Sequence, residues 1–131
     1  MYYVIMDLEW NNSYNKFKKC FVNEVLEIGA VLVDESLDVI DTFSVIIRSQ
    51  LIKKLSGRVK NLTHISNEDM SSGVSFQKAI SDFSKWIGGR NCVFMSWGNS
   101  DIRVLVDNFS MFCGMNTIPF LTQYVDLQKY C

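Results

Sequence analysis

A run of uncharged residues near the start of the chain ends in two closely spaced acids. The segment from Tyr2 to Met6 carries no charge, as expected of a central strand buried on both faces. Asp7 and Glu9 follow it, two positions apart. Side chains alternate between faces in an extended backbone, so both carboxylates are predicted to project to the same side. The pattern favours an α/β fold, because such folds place their sites where a buried strand ends.

Two carboxylates on one side of a strand repel each other unless a positive charge lies between them. Mg²⁺ or Mn²⁺, which prefer hard oxygen ligands, would supply that charge. Asp7 and Glu9 are therefore candidate metal ligands. The alternative is a pair of solvated acids in the turn after the strand, since short motifs recur by accident. An aspartyl-phosphate site is disfavoured by Glu9, because that motif has aspartate at both positions.

Length and composition indicate one globular domain. The chain has 131 residues, of which 48% are hydrophobic and 21% charged, with one proline. The formal charge is −1, so a polyanion would have to be held by local basic patches. The candidate patches lie at residues 51–60 and 16–19, and for each a plain solvated surface is the alternative.

The four cysteines have no metal-binding spacing and no signal peptide precedes them. We therefore expect reduced thiols and a cytoplasmic location. No apolar run approaches the roughly 18 residues that span a bilayer, so no membrane partner is expected.

Hydrophobic periodicity divides the chain into an antiparallel meander of three strands, followed by alternating helices and strands. Residues 11–19 and 49–74 are polar and are predicted to be irregular. The predicted elements, in chain order, are strands at 2–6, 25–33 and 39–48, a helix at 76–87 with Ser75 as its N-cap, a strand at 92–95, a helix that stops at Gly114, and a strand at 124–127.

Asp101 is the third candidate ligand. It follows the turn formed by residues 96–100 and is predicted to take the first position of the second helix, where the helix dipole favours an acid. If the strand at 92–95 runs beside the first strand, the same turn brings Asp101 to Asp7 and Glu9. On the sequence alone the two interpretations are equally good.

Together these segments resemble the DEDD-type 3′→5′ exonucleases of the ribonuclease H-like superfamily, in particular the DEDDh subgroup. The family's first motif is matched by Asp7-Leu8-Glu9, and its second by Asp101 with the turn before it. The strand from Glu27 to Val31, the loop from Leu62 to Ser66 and the helix after Ser75 follow the family's order. The resemblance extends over almost the whole chain.

The resemblance implies a mixed sheet, with three antiparallel strands and then parallel ones, flanked by helices. It also implies 3′→5′ hydrolysis of terminal phosphodiester bonds in single-stranded RNA or DNA, which releases nucleoside 5′-monophosphates. In the family two divalent ions, Mg²⁺ or Mn²⁺, hold the scissile phosphate. Their ligands here would be Asp7, Glu9 and Asp101.

Substrate contacts are implied at the 3′ end of the single strand. Trp10, Thr63 and His64 would contact the terminal nucleotide, in keeping with base stacking on aromatic side chains. Leu62 and Ile65, from the same loop, are expected to pack in the core.

The family's third motif is missing. That motif is an acid preceded five residues earlier by histidine, on a helix after the last strand. His64 and Asp69 have this spacing but lie between the first two motifs, so we do not assign them to it. We expect residues 1–131 to be an N-terminal portion of an exonuclease domain, with its C-terminal helices missing. Exposed apolar surface would then favour a homodimer or poor solubility. The alternative is a degenerate nucleic-acid-binding domain.

Overall fold

The computed structural model describes residues 1–130, which form a mixed five-stranded sheet with helices. The strands are β1 (Tyr2–Asn15), β2 (Cys20–Val33), β3 (Val39–Ile46), β4 (Cys92–Ser96) and β5 (Tyr124–Asp126). They lie in the order β3-β2-β1-β4-β5. β1, β2 and β3 pair antiparallel, whereas β4 pairs parallel with β1 and β5 parallel with β4. The predicted change from antiparallel to parallel pairing is confirmed.

The helices are α1 (Gly57–Thr63), α2 (Asn67–Ser71), α3 (Phe76–Ile87) and α4 (Ser100–Cys113), and a 3₁₀ helix covers Leu127–Tyr130. α3 begins as predicted, since the Ser75 side chain accepts a hydrogen bond from the backbone N–H of Lys78. α4 ends as predicted at Gly114, whose φ of 73° suits a residue without a side chain. Among the described residues no helix has both the length and the apolar content needed to cross a membrane.

The prediction that residues 49–74 are irregular is wrong, because they contain α1 and α2. Each helix starts from a serine cap, Ser56 or Ser66, and Ser66 forms a capping box with Asp69. The helices have seven and five residues, too few to show a clear 3.6-residue hydrophobic repeat.

β1 is more than twice as long as predicted, so Asp7 and Glu9 lie within the strand and not at its end. Residues 11–15 pair with β2 residues 20–24 to form an extended hairpin. Ser13 and Asn15 are only 2% and 4% exposed, although their polarity indicated a loop. Backbone groups make the ladder between strands, so polar side chains do not prevent it when they find partners of their own.

The main core covers one face of β1. Val4, Met6 and Leu8 are at most 4% exposed and belong to one apolar cluster with α3 and α4. Ile5, on the opposite face, is 42% exposed. The prediction that this strand is buried on both faces is therefore wrong for the part of the chain that the structure describes. A run of apolar residues does not reveal how many faces are covered.

A β-bulge links the sheet to the segment that carries α1 and α2. The register shifts beside Glu9, so that Glu9 pairs with Glu27 and Trp10 with Val25, which leaves Leu26 without a partner on β1. Leu26 is fully buried in a second, small cluster with Leu55, Ile65 and Met70. The bulge thus anchors α1 and α2 beside the acids of β1.

Candidate active site

Asp7 and Glu9 project from the open face of the sheet. The side chains of β1 alternate, and those of residues 4, 6 and 8 enter the core. Asp7 is exposed and Glu9 is half-buried. The two predicted ligands therefore share a face, and water or a substrate can reach them.

Asp101 reaches β1 from the first turn of α4. β4 pairs with β1 only as far as Ile5 and Met95, and the chain then turns out of the sheet into α4. Oδ2 of Asp101 accepts a hydrogen bond of 2.9 Å from the backbone N–H of Leu8, the residue between the two β1 acids. Asp101 is the second residue of α4 and not the first, and it is only 8% exposed. The contact brings the third acid to the other two.

The pKa values of Glu9 and Asp101 are both raised, by burial and by the charges of neighbouring carboxylates. Burial raises the pKa of Glu9, and the neighbouring charges of Asp7, Glu27 and Asp101 raise it further, while His64 lowers it. Burial also raises the pKa of Asp101, against the hydrogen bond from Leu8, and Asp7 adds to the increase. Negative charge is thus concentrated at this point of the sheet.

Glu27 is a site neighbour that the sequence reasoning missed. It lies directly opposite Glu9 in the β1–β2 ladder. Burial raises the pKa of Glu27, as do the charges of Asp7 and then Asp69. The predicted meander already placed the strand of Glu27 beside β1. Which residue of β1 faces Glu27 depends on the β-bulge, which could not be predicted from the sequence.

The predicted nucleotide-contact residues lie beside Glu9. A shallow hollow of about 200 Å³ is lined by Glu9, Trp10, Leu62 and Thr63, together with residues 8 and 59. Leu62 is 68% exposed, so the expectation that it packs in the core is wrong, whereas Ile65 is buried as expected. Leu62 lies in the last turn of α1, a helix that buries none of its residues, and its side chain lines the hollow instead.

Thr63 and His64 hold the end of α1. The Thr63 hydroxyl donates to the Val59 carbonyl and accepts from the Ile65 N–H, so both of its bonds remain within this segment. His64 caps the helix with a left-handed φ of 61°, and its side chain is exposed. His64 is also close enough to Glu9 to lower that pKa. The structure therefore brings all six predicted site residues to one region.

The donor set suits a hard divalent cation. Carboxylate oxygens are the ligands that Mg²⁺ and Mn²⁺ prefer. Burial is the main cause of these raised pKa values, and a cation would relieve the charge repulsion that adds to it. Within residues 1–130, no group of three or more histidine, cysteine, aspartate or glutamate side chains is arranged to hold an ion. The fit therefore rests on donor chemistry and charge, and Asp7, which is exposed, has room to turn.

Comparison with known proteins agrees with these features. The exonuclease family model named RNase T matches residues 4–131. The probable 3′-5′ exonuclease KapD of Bacillus subtilis is 31% identical over 120 residues, which cover 89% of this chain and 55% of KapD. A PolC-type DNA polymerase III of Staphylococcus saprophyticus is 30% identical over 86 residues, 66% of this chain and 5% of that protein. The chain thus spans about half the length of KapD.

Two solved structures share the fold. The nuclease domain of 3′hExo, a DEDDh family member bound to rAMP, superposes with a TM-score of 0.83 at 21% identity, covering 98% of this chain and 67% of that one. Product-bound exonuclease I gives a TM-score of 0.72 at 11% identity, covering 98% and 30%. These likenesses confirm the predicted ribonuclease H-like fold class. Because the family model matches nearly the whole sequence, this chain belongs to the RNase T family of exonucleases.

Proposed function

We propose that this chain carries the metal site of a 3′→5′ exonuclease, which hydrolyses the terminal phosphodiester bond of single-stranded RNA or DNA and releases nucleoside 5′-monophosphates. The 3′-5′ exonuclease KapD among its relatives supports the direction of hydrolysis. The proposal rests above all on one observation, the hydrogen bond from the Leu8 N–H to Asp101. That bond ties the acid of α4 to the backbone between the two β1 acids.

Asp7, Glu9 and Asp101 are the residues proposed to hold Mg²⁺ or Mn²⁺, in a two-metal site. Bound divalent cations neutralise charge on the phosphate and make a bound water more acidic. Asp101 is oriented by the Leu8 N–H, so little conformational freedom remains for it to lose on binding. Asp7 and Glu9 face open solvent on one side of the strand, where the phosphate of a 3′ end can approach them.

The hollow beside Glu9 is the proposed place of the terminal nucleotide. Trp10 and Leu62 offer apolar surface for a base, and Thr63 completes the wall. His64 is exposed next to Glu9 and would attract the phosphate when protonated. Neither the hollow nor its residues distinguish ribose from deoxyribose, so RNA and DNA are both proposed substrates.

We further propose that residues 1–131 are an N-terminal portion of the exonuclease domain, and that a following segment supplies a histidine and a fourth acid. The share of KapD that the chain matches, 55%, supports this proposal. So does the exposed apolar surface at Ile5. Until that surface is covered, we expect self-association into a homodimer, which sedimentation of the chain at several concentrations would measure. We also propose a cytoplasmic location.

The test is trimming of a 5′-labelled oligonucleotide, as RNA and as DNA, with Mn²⁺. The proteins are the 131-residue chain and a version extended by the segment that follows it in its natural gene. General-base help contributes about 10² to 10⁴ in rate, so we expect a large gain on extension. Asp7→Asn in the extended protein should remove the activity, and Lys85→Gln, on an exposed position of α3, is the matched surface control.

Vigorous metal-dependent trimming by the 131-residue chain would contradict the proposed need for a further segment, and would require His64 and Asp69 to be tested as its replacement. Trimming by the Asp7→Asn protein at the wild-type rate would refute the assigned site. If neither length trims either substrate, the exonuclease proposal fails, and the alternative, a nucleic-acid-binding domain, becomes the one to test by direct binding.

A further inference from the structure

The turn between β1 and β2 exposes an aromatic side chain among lysines. It consists of Lys16, Phe17, Lys18 and Lys19, which we call the basic turn. Phe17 is 96% exposed, and the three lysines are exposed around it. The ion pairs found within residues 1–130 join Met1 to Glu35 and Lys78 to Asp82, so none involves the basic turn. A fully exposed phenylalanine buries no apolar surface here and gives the fold no stability.

The basic turn is held in one conformation. Oδ1 of Asn15 accepts hydrogen bonds from the N–H groups of Phe17 and Lys18, at 2.9 and 3.1 Å. Asn15 is itself buried, and its Nδ2 donates to the sulfur of Met111 on α4 at 3.3 Å. Lys19 completes the turn with a left-handed φ of 54°. Pre-organisation of this kind lowers the entropy lost when a ligand binds.

The basic turn lies along the strand that carries the candidate active site. β1 runs without interruption from Glu9 to Asn15. The seven steps from Glu9 to Lys16 correspond to about 23 Å at about 3.3 Å per residue. Each strand of a DNA duplex advances about 3.4 Å per nucleotide, and at that rise the same distance is about seven nucleotides. A strand whose 3′ end is at Glu9 can therefore reach the basic turn.

We propose that the basic turn binds the single strand upstream of its 3′ end, with phosphates on the lysines and a base against Phe17. This inference rests on the proposed function, because it takes the 3′ end to lie at Glu9. Base stacking on one aromatic side chain contributes about 1 to 3 kcal/mol, and it tolerates any sequence. The turn would add affinity for long substrates without taking part in hydrolysis.

Charge distinguishes the basic turn from the other hairpin turn. The turn between β2 and β3, residues 34–38, also exposes a large apolar side chain, Leu37, at 75%. It carries Asp34, Glu35 and Asp38 where the basic turn carries lysines. A phosphate backbone is repelled by the acidic turn and attracted by the basic one.

An acid near the basic turn limits where the phosphates can lie. A hollow of about 360 Å³ between the hairpin and α4 is lined by Lys18, Phe21, Asp107 and Met111, among others. Asp107 disfavours a phosphate inside this hollow. The phosphates are therefore placed on the outer side of the turn, where the lysines are exposed.

The experiment measures binding of fluorescein-labelled oligo(U) and oligo(dT) by anisotropy, with Ca²⁺ in place of a catalytic metal. Oligonucleotides of about four and about sixteen nucleotides bracket the reach of a single-strand site. The variants are Phe17→Ser, with Leu37→Ser as its control, and Lys16→Gln/Lys18→Gln, with Lys78→Gln/Lys85→Gln as its control. Leu37→Ser removes an exposed apolar side chain, and the lysine control removes two positive charges, in each case at exposed positions away from the basic turn. Lys78 additionally loses its ion pair with Asp82, so the unfolding free energy of this control is measured as well.

We expect the two basic-turn variants to bind the long oligonucleotide at least about fivefold more weakly, which is the lower end of the stacking range. The basic-turn variants should bind the short oligonucleotide as the wild-type protein does. The control variants should bind both oligonucleotides as the wild-type protein does. The lysine variant should also lose about 1.4 from the slope of log affinity against log salt, since each phosphate contact on a single strand contributes about 0.7.

Equal loss for long and short oligonucleotides, or no loss for either, would overturn the proposal. A Phe17→Ser protein that changes its sedimentation but not its oligonucleotide binding would assign the turn to contact between copies of the chain and would also overturn it. Failure of the proposed function appears separately, as absence of trimming with Mn²⁺ while length-dependent binding persists.

Discussion

The two faces of β1 differ in what their side chains contribute. On the closed face, Val4, Met6 and Leu8 are buried under α3 and α4. On the open face, Ile5 is exposed and the acids Asp7 and Glu9 repel their neighbours. Alternate residues of one strand thus supply either packing or chemistry. Substitutions on the closed face should therefore change stability, and those on the open face should change binding and activity.

The largest expected effect on stability comes from the closed face. Phe83 of α3 is fully buried and contacts the rings of Phe43, Phe94 and Phe120. Phe83→Ala should lower the free energy of unfolding by about 3 to 5 kcal/mol, because it leaves a cavity among these rings. Urea unfolding followed by circular dichroism measures it.

Ile5→Thr is the control on the open face, since Ile5 is already 42% exposed and threonine keeps the β-branch. Its effect on the unfolding free energy should stay within about 0.5 kcal/mol. A similar loss for both variants would show that the two faces are equally packed in solution, and the comparison would fail.

Asp101 joins the two faces, and a pair of substitutions separates its roles. Asp101→Leu leaves the Leu8 N–H without its acceptor, at a cost of about 1 to 3 kcal/mol of stability. Asp101→Asn keeps a carbonyl oxygen for that bond but removes the charge. It should therefore cost less stability than Asp101→Leu while weakening Mn²⁺ binding, which calorimetry measures.

If Asp101→Asn binds Mn²⁺ as well as the wild-type protein does, the role of Asp101 is limited to accepting the hydrogen bond from the Leu8 N–H. Asp7→Ala, which removes an exposed acid, gives the reference loss of binding.

The smallest expected effect is a gain in stability on the open face. Glu27 lies opposite Glu9, and like charges directly across a ladder are destabilising by about 0.2 to 1 kcal/mol. Glu27→Gln should raise the unfolding free energy by that amount at pH 7. Thr42→Gln, at an exposed position of β3, controls for the introduction of glutamine into the sheet.

The gain should also depend on pH. The pKa of Glu27 is raised above its ordinary value of 4.5, so the folded protein binds this proton more readily than the unfolded chain does. The charge repulsion is therefore fully present above the raised pKa and absent below the ordinary one. The advantage of Glu27→Gln should shrink as pH falls through this window. An advantage that grows towards low pH would contradict the assigned direction of the pKa shift.

Elements with a strong repeat were predictable. α3 has an apolar stripe with a serine before it, and α4 ends at a glycine, so both follow from local rules. The far half of the β1–β2 hairpin was not predictable, because Ser13 and Asn15 read as a loop. α1 and α2 were too short to show a periodic pattern. In the hairpin, contacts with distant residues outweigh local preference, whereas α1 and α2 start from local serine caps that the hydrophobic pattern does not report.

The sequence identified which side chains of the candidate site could bind a metal ion. The tertiary structure determined which of them lie close together. The Asp-x-Glu spacing determined by itself that Asp7 and Glu9 share a face of an extended strand, because side chains alternate there. Only the tertiary structure decided that Asp101 bonds to Leu8 and that Glu27 opposes Glu9. The first depends on where β4 stops and the second on a bulge. Both are set by packing between segments far apart in the chain, which no local pattern encodes.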